Sequence, residues 1–315
     1  MKPAPARIAS RGGILAASVA IYLVWGSSNF FMKMGMETIP PVVLAGSRLL
    51  LAGTLMTSFA VARGDRLVRA HFKPLLLAGV LLFLGGHGAL YWAQDRLASG
   101  IGVVLLATMP LWVVLIEGFM PGGIHLGWRS LTGLGLGVLG VLMLVGPASL
   151  LGAGQVNVAG AIAMELAALS WAVGSIFCSR APLPSSGALA GGIEMLFGGI
   201  LLLGLAGLLG ETRGFHVSHV SVHSWLAIGY LVLVSSMIGF SCYLWLLKVA
   251  SPAQAASYAY VNPVVAVVLG WSVAGDPITL RILLAIVMLL GAVVLIVTTK
   301  NRGVALPPEL DTVAP

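Results

Sequence analysis

The chain has 315 residues, of which 59% are hydrophobic and only 9% are charged. Soluble domains carry about 25% charged residues, so this chain has too few to cover a water-facing surface, which excludes a soluble protein. The net charge of +7 does not indicate a nucleic-acid partner, because the basic residues lie in short segments between apolar runs, where they set membrane topology. The sequence therefore predicts an integral membrane protein whose surroundings are the lipid bilayer.

Ten apolar runs are predicted to cross the bilayer as helices, since a hydrocarbon core of about 30 Å needs roughly twenty apolar residues. The first run follows Lys2, Arg7 and Arg11 in the manner of a secretory signal, but no convincing cleavage site follows it, so we expect it to remain as the first span. The predicted fold class is all-α, with ten transmembrane helices centred near residues 23, 51, 84, 108, 136, 169, 198, 235, 262 and 289.

The distribution of Lys and Arg predicts which side of the membrane each segment occupies. With the N-terminus in the cytoplasm, twelve of the seventeen fall on the cytoplasmic side, four fall on the opposite side, and Arg48 lies within a span. Such an excess favours cytoplasmic N- and C-termini. We expect a cytoplasmic tail over residues 1–12, five helices over 13–147, five more over 158–299, and a cytoplasmic tail over 300–315.

The first three spans carry polar and aromatic residues that we expect to line a cavity. Trp25 and Asn29 are four residues apart on the first span, as are His87 and Tyr91 on the third, so each pair shares a helix face. Arg48 lies on the second span, where facing lipid would cost about 2.5–3.5 kcal/mol. For His87 a hydrogen-bonded structural role is the alternative to a proton relay, and we favour the structural role.

The fourth and fifth spans contain a proline and a glycine stripe. Pro110 removes its own N–H and frees the carbonyl one turn earlier, which predicts a kink. That kink either lines or gates a substrate path, or it only serves packing. Gly133, Gly137 and Gly140 predict close helix packing on the fifth span. Glu117, near a cytoplasmic helix end, is expected to be solvated.

The sixth and seventh spans each contain a carboxylate. An intramembrane acid is a functional hypothesis by default, so Glu165 and Glu194 are both candidates for proton coupling. For Glu194 the alternatives are an ion pair with Arg48, which we favour, and a contact to a substrate amine.

The ninth span repeats the features of the first and fourth. Tyr258 and Asn262 are four residues apart and are expected to line the cavity, with interfacial anchoring as the alternative for the tyrosine. Pro263 follows Pro110 by 153 residues and predicts a matching kink.

The two halves of the chain are similar to each other. Trp25 precedes Arg48 by 23 residues, and Trp171 precedes Glu194 by the same number. Because five spans is an odd number, a second five-helix copy enters the membrane from the opposite side. The sequence therefore predicts two inverted repeats, an organisation common among secondary transporters. This symmetry would bring Arg48 and Glu194 near the midplane around a common cavity.

A family resemblance rests on the stretches VWGSSNFFMKMGMETIPPVVLAGSRLLLAG, LASGIGVVLLATMPLW and SYAYVNPVVAVVLGW. Over about residues 14–299 the chain resembles the EamA family of the drug/metabolite transporter superfamily. The resemblance implies a ten-helix transporter with a central cavity that moves small metabolites or drugs across the bacterial inner membrane, usually outward. Glu165 departs from the family pattern, which is usually apolar there. Gly123 aligns with Asp276, so the first half lacks the acid usual near the end of each repeat.

The function predicted from these features is secondary transport of a small molecule, such as a metabolite, amino acid or drug, by alternating access. No Walker A pattern is present, so ATP is not the direct energy source, and coupling to a proton or substrate gradient is left. The alternatives are an importer of the same fold, a passive channel and an intramembrane enzyme. The sequence has no catalytic motif that such an enzyme would need, and we expect no enzymatic activity, cofactor or metal.

We favour a solvated loop over a metal site for His216, His219 and His223. Monomer and homodimer both stay open.

Overall fold

In the computed structural model the regular secondary structure is entirely helical over the described residues, which are 11–97, 99–120, 127–145, 157–269, 271–272 and 278–297. The predicted all-α class is therefore confirmed for this part of the chain. The predictions for Gly123, Asp276, the C-terminal tail and most of the N-terminal tail lie outside the described residues.

The helices alternate with short connections along the chain. We label them α1 (Arg11–Met36), α2 (Pro41–Ala62), α3 (Arg69–Gln94), α4 (Ser99–Leu106), α5 (Met109–Phe119), α6 (Trp128–Val145), α7 (Val158–Arg180), α8 (Gly187–Leu208), α9 (Val222–Val249), α10 (Pro252–Ala256), α11 (Tyr258–Leu269) and α12 (Leu280–Val297). A single 3₁₀ turn, Val217–His219, precedes α9.

Eight segments in this part of the chain are long and apolar enough to cross a membrane: α1, α2, α3, the α4–α5 pair, α6, α7, α8 and α9. The predicted ninth span is the broken pair α10 and α11, and the predicted tenth is α12, a shorter apolar helix. The break at Ser257 divides the ninth span into two short helices, because it ends the regular hydrogen bonding of α10.

Helices α2 and α8 pack together closely along their length. A Cβ atom added at Gly53 would lie 2.6 Å from the backbone nitrogen of Leu196, and one added at Gly199 would lie 2.6 Å from that of Leu50. Such small residues allow two helix backbones to approach. As the residue number rises along α2, its partner's number falls along α8, so the two helices are antiparallel.

Similar terminations end both of these helices. Gly64 after α2 and Gly210 after α8 have φ angles of +92° and +76°, a conformation that favours glycine. In each case the following residue's N–H donates back to the last turn, Asp65 to Ala60 and Glu211 to Ala206, and this is the Schellman pattern of helix ends.

Helices α6 and α12 form a second close pair, and glycine again permits it. A Cβ atom at Gly133 would lie 3.2 Å from the carbonyl oxygen of Ala292, and one at Gly140 would lie 3.0 Å from Leu289. Gly137 instead lies against the ring of Tyr260. The predicted role of this stripe in helix packing is confirmed.

Helices α3 and α9 each change to π-helix in the middle. The π segments are Gly79–Gly88 in α3 and Leu231–Gly239 in α9. A π segment accommodates an extra residue per turn and is frequent at functional sites. Gly86 in the first segment lies against Trp171 of α7, and Gly239, just at the end of the second, lies against Trp25 of α1.

Candidate functional site

A cavity of about 690 Å³, including its opening, lies among α1, α2, α3, α4, α5, α7, α9 and α11. Its walls consist of aromatic, amide, hydroxyl and apolar groups together with a single arginine. The described residues that line it are Trp25, Ser28, Asn29, Met32, Arg48, Gly86, His87, Leu90, Leu106, Met109, Ala167, Trp171, Ser235, Tyr258, Ala259 and Asn262.

The structure brings six of the predicted cavity residues to this wall: Trp25, Asn29, Arg48, His87, Tyr258 and Asn262. Tyr91 and Glu194 do not line it. Tyr91 is fully buried behind Arg48, and its ring centroid lies 5.5 Å from the guanidinium carbon.

Arg48 is the charged group of the cavity wall. Its side chain is buried, with 4% of the residue exposed, and its Nε has no hydrogen-bond partner. Among the described residues no carboxylate lies within 4.0 Å of it. Apart from the ring of Tyr91, no described group with a negative charge or quadrupole offsets this guanidinium, and in a low-dielectric space electrostatic interactions are stronger than in water.

Glu194 lies away from the cavity and does not form the expected ion pair with Arg48. The antiparallel packing of α2 and α8 is the physical reason. Leu50 lies opposite Gly199, so Arg48 and Glu194 lie on opposite sides of this crossing, about 10 Å apart along the helix axes at 1.5 Å per residue. Glu194 is fully buried, and neither carboxylate oxygen has a hydrogen-bond partner. Lys248 of α9 is the basic group that interacts with it electrostatically.

Aromatic side chains form the floor of the cavity. The ring of Trp25 lies 4.6 Å from Tyr258, 5.0 Å from Tyr243 and 5.8 Å from Trp171, centroid to centroid. The Nε1–H of Trp171 donates to the hydroxyl of Tyr243 at 3.1 Å. Sequence reasoning did not assign Trp171 to the cavity, although its position as the predicted repeat partner of Trp25 was a signal for it.

His87 lies in the π segment of α3, with its ring 5.0 Å from Trp171. Its Nδ1 lies 3.3 Å from the carbonyl oxygen of Leu82. Because a carbonyl only accepts, this contact requires the proton on Nδ1, which leaves Nε2 as an acceptor in the neutral ring. The contact is consistent with the hydrogen-bonded role favoured from the sequence.

The two amides of the wall differ in their hydrogen bonding. Asn29 accepts a long hydrogen bond of 3.5 Å from the side chain of Gln94. Asn262 is buried, and its Oδ1 has no partner. Asn262 therefore has an acceptor that no described group uses.

The two predicted proline kinks differ in the structure. Pro110 is the second residue of α5 and directly follows the break at residues 107–108. Pro263 lies inside α11, and the break in this span occurs earlier, at Ser257. The kink expected at Pro263 is thus displaced, because Ser257 ends α10 with hydrogen bonds from its N–H and hydroxyl to the carbonyl of Gln254.

Each broken helix is held at its break by a polar side chain from the first helix of the other half. The hydroxyl of Tyr22 in α1 lies 2.6 Å from that of Ser257. At the other break the carboxylate of Glu165 in α7 accepts from the hydroxyl of Thr108 at 3.0 Å and from Nε1–H of Trp112 at 3.0 Å. Glu165 is half-buried and does not line the cavity.

Glu117 is buried rather than solvated, so that expectation was wrong. Its carboxylate lies 3.7 Å from the guanidinium of Arg180, which compensates the charge. The ion pair joins the end of α5 to the end of α7.

Comparison with known proteins places these features in a family. The profile described as "EamA-like transporter family" matches residues 11–146 and 158–298. The chain is 37% identical over 306 residues to the "Uncharacterized inner membrane transporter YedA" of Escherichia coli K12, covering 96% of this chain and 95% of that protein. It is 24% identical over 278 residues to the "Uncharacterized transporter YoaV" of Bacillus subtilis 168, covering 88% and 94%.

A solved crystal structure has the same fold. It superposes with a TM-score of 0.74 at 19% sequence identity and covers 91% of this chain and 96% of its own. At this identity the similarity concerns the fold alone.

Proposed function

This chain belongs to the EamA-like transporter family of membrane proteins, and on that premise we propose that it exports a small molecule across the bacterial inner membrane by alternating access. The observation that carries the proposal is the cavity itself, in which a buried Arg48 without a described carboxylate partner is enclosed by apolar, membrane-spanning helices. An intramembrane charge normally marks a substrate or ion pathway. The relatives are named transporters, which favours a carrier over an enzyme.

We propose that the ten helices form two inverted repeats, over residues 13–147 and 158–299. Contacts between α2 and α8 support this arrangement, because exchanging each residue for its counterpart 146 positions away in the other half converts one contact into another. The contact of Gly53 with Leu196 becomes that of Gly199 with Leu50. A two-fold axis through the crossing of α2 and α8 would produce such pairs.

Contacts of the π segments give independent support for the repeats. Trp25 against Gly239 corresponds to Trp171 against Gly86, with offsets of 146 residues between the tryptophans and 153 between the glycines. These contacts involve different helices from the α2–α8 crossing.

The cavity lies toward one side of the membrane, as alternating access requires of a single state. Its residues come from the second half of α1, the first half of α2 and the second half of α3. The other side is closed by the aromatic floor, by the bond between Tyr22 and Ser257, and by Lys248, whose ammonium donates to the carbonyls of Pro184 and Ser185. With cytoplasmic termini, this state is open to the outside.

We propose Glu165 as the leading candidate for proton coupling. The hydroxyl of Thr108 has one hydrogen but two acceptors within reach, Glu165 at 3.0 Å and the carbonyl of Leu105 at 2.7 Å. A protonated Glu165 would donate to Thr108, which would then donate to Leu105. Proton uptake would thereby change the hydrogen bonds at the break between α4 and α5. Glu194 is the second candidate, because its buried carboxylate has no hydrogen-bond partner.

The experiment that tests the function is an efflux screen with metabolites and drugs in cells that overexpress the chain, followed by counterflow in proteoliposomes. The control is Arg48→Ala. Saturable uptake with counterflow that is lost in the variant supports a carrier. Flux that does not saturate indicates a channel, and the absence of flux for every compound contradicts transport.

A further inference from the structure

The charge balance of the cavity points to the chemical class of its ligand. We propose that the transported molecule is an organic anion with a carboxylate head group, bound by Arg48, and an apolar or aromatic body. This inference rests on the proposed function and deepens it. It also narrows the range of amino acids, drugs and other metabolites that the sequence left open.

Arg48 is suited to bind a carboxylate head group. The guanidinium of Arg48 is planar and matches a carboxylate with two parallel hydrogen bonds. In this structure no described carboxylate lies within 4.0 Å of the guanidinium, and Nε of Arg48 is buried without a hydrogen-bond partner. Burying an uncompensated charge is unfavourable, so an anionic ligand would supply the missing partner.

The cavity wall has no group suited to a cationic ligand among the described residues. None of the described lining residues is an acid. Glu194 is buried away from the cavity, and Glu165 is engaged by Thr108 and Trp112. An ammonium group in this cavity would therefore be desolvated beside an arginine without a carboxylate to balance it.

The neutral polar groups of the cavity wall do not change the preference for an anionic over a cationic ligand. Oδ1 of Asn262 is an unused acceptor, and it can receive a hydrogen bond from a hydroxyl or an N–H of the ligand. A neutral acceptor does not offset the charge of an ammonium group. A hydroxyl on the ligand is accordingly favoured over an amine.

The rest of the cavity wall suits an apolar or aromatic ligand body. Trp25, Trp171 and Tyr258 provide aromatic faces at the floor, and Met32, Leu90, Leu106 and Met109 complete the apolar wall. Such a wall with few polar groups suits a molecule with one polar end. The position of Arg48 in the first half of α2 places that end toward the opening.

The test uses four probes with one phenylpropyl body: phenylpropionate, phenylpropanol, phenylpropylamine and the zwitterion phenylalanine. Thermal unfolding of the purified full chain in detergent is measured with each probe. We expect saturating phenylpropionate to raise Tm by about 2 °C or more. We expect phenylpropylamine to leave Tm unchanged, and phenylalanine to bind at least about tenfold more weakly than phenylpropionate, because its ammonium is uncompensated.

Variants at Arg48 test whether this residue causes the selectivity for a carboxylate. Arg48→Gln is expected to weaken phenylpropionate binding at least about tenfold, and Arg48→Lys, which keeps the charge, is expected to weaken it less. The wild-type probe series decides the question by itself if Arg48→Gln does not fold. Stronger binding of the amine, no binding of phenylpropionate, or an unchanged affinity in a folded Arg48→Gln protein would overturn the proposal.

Counterflow of the same probes separates this inference from the proposed function. Counterflow of phenylpropylamine but not of phenylpropionate supports a carrier and overturns the anion class. Selective binding of phenylpropionate without counterflow supports the anion class and contradicts the carrier.

Discussion

At the scale of single residues, the proton coupling proposed for Glu165 can be measured. We expect Glu165→Gln to fold and to make transport insensitive to an imposed pH gradient. The Gln amide donates to Thr108 and accepts from Trp112 as a protonated Glu would, but it cannot release a proton. The measurement is substrate flux in proteoliposomes with pH gradients of either sign.

Thr108→Val is the companion variant for this experiment. It keeps the carboxylate but removes the hydroxyl through which protonation of Glu165 would change the break, so we expect transport to depend less on the pH gradient than in the wild type. If Glu165→Gln responds to the gradient as the wild type does, Glu165 is not the proton carrier, and Glu194→Gln becomes the next variant to measure.

Glu194 leads to a prediction about stability. We expect Glu194→Gln to keep Tm within about 2 °C of the wild type, or to raise it, because no hydrogen bond to the carboxylate is lost and the buried charge is removed. Glu117→Gln is the control, since it disrupts the ion pair with Arg180 and should lower Tm. A clear fall of Tm in Glu194→Gln alone would show that this carboxylate is paired.

The sequence was informative about which residues are polar within the membrane and less so about their neighbours. Helical spacing and the repeat were sufficient to predict Trp25, Asn29 and Arg48 on the cavity wall. Glu194 was expected beside Arg48 because the sequence predicts the two as repeat partners. Two residues related by an inverted repeat lie at equal distances on opposite sides of the point where their helices cross. They can therefore be related by symmetry without being in contact.

At the scale of helices, the close approach of α2 and α8 should depend on its glycines. We expect Gly53→Ala to destabilise the protein by about 1–3 kcal/mol, because the added Cβ would meet backbone atoms that cannot move aside. Gly204→Ala is the control on α8, since no atom lies within 4 Å of a Cβ at that position. Thermal unfolding of both variants measures the difference, and equal Tm values would contradict the tight packing.

The broken helices show which helix breaks the local sequence can predict and which it cannot. Proline correctly marks the start of α5, because Pro110 cannot donate a hydrogen bond to the turn before it. The break at Ser257 involves the hydroxyl of Tyr22, a partner 235 residues away in sequence. Such a long-range contact leaves no periodic pattern, so the local sequence predicted the break at Pro263 instead.

At the scale of the whole molecule, the accessible side of the cavity tests the proposed state and its orientation together. Both cysteines of the chain, Cys178 and Cys242, are free, so replacing them with Ala yields a background without thiols. In that background we expect Asn29→Cys to react with a membrane-impermeant thiol reagent applied from the periplasm. The reason is that Asn29 lies on the half of the cavity wall nearer the end of α1.

Ser257→Cys is the matched control, because Ser257 is fully buried below the aromatic floor. It should stay unreactive from the periplasm in the state described, and it should gain reactivity from the cytoplasm when the molecule converts to the opposite state. A carrier must expose these two positions in turn, since a path open to both sides at once would dissipate the substrate gradient. Simultaneous reaction of Asn29→Cys and Ser257→Cys with a reagent on one side would therefore indicate a continuous pore. Reaction of Ser257→Cys alone from the periplasm would show that the chain is inserted the other way.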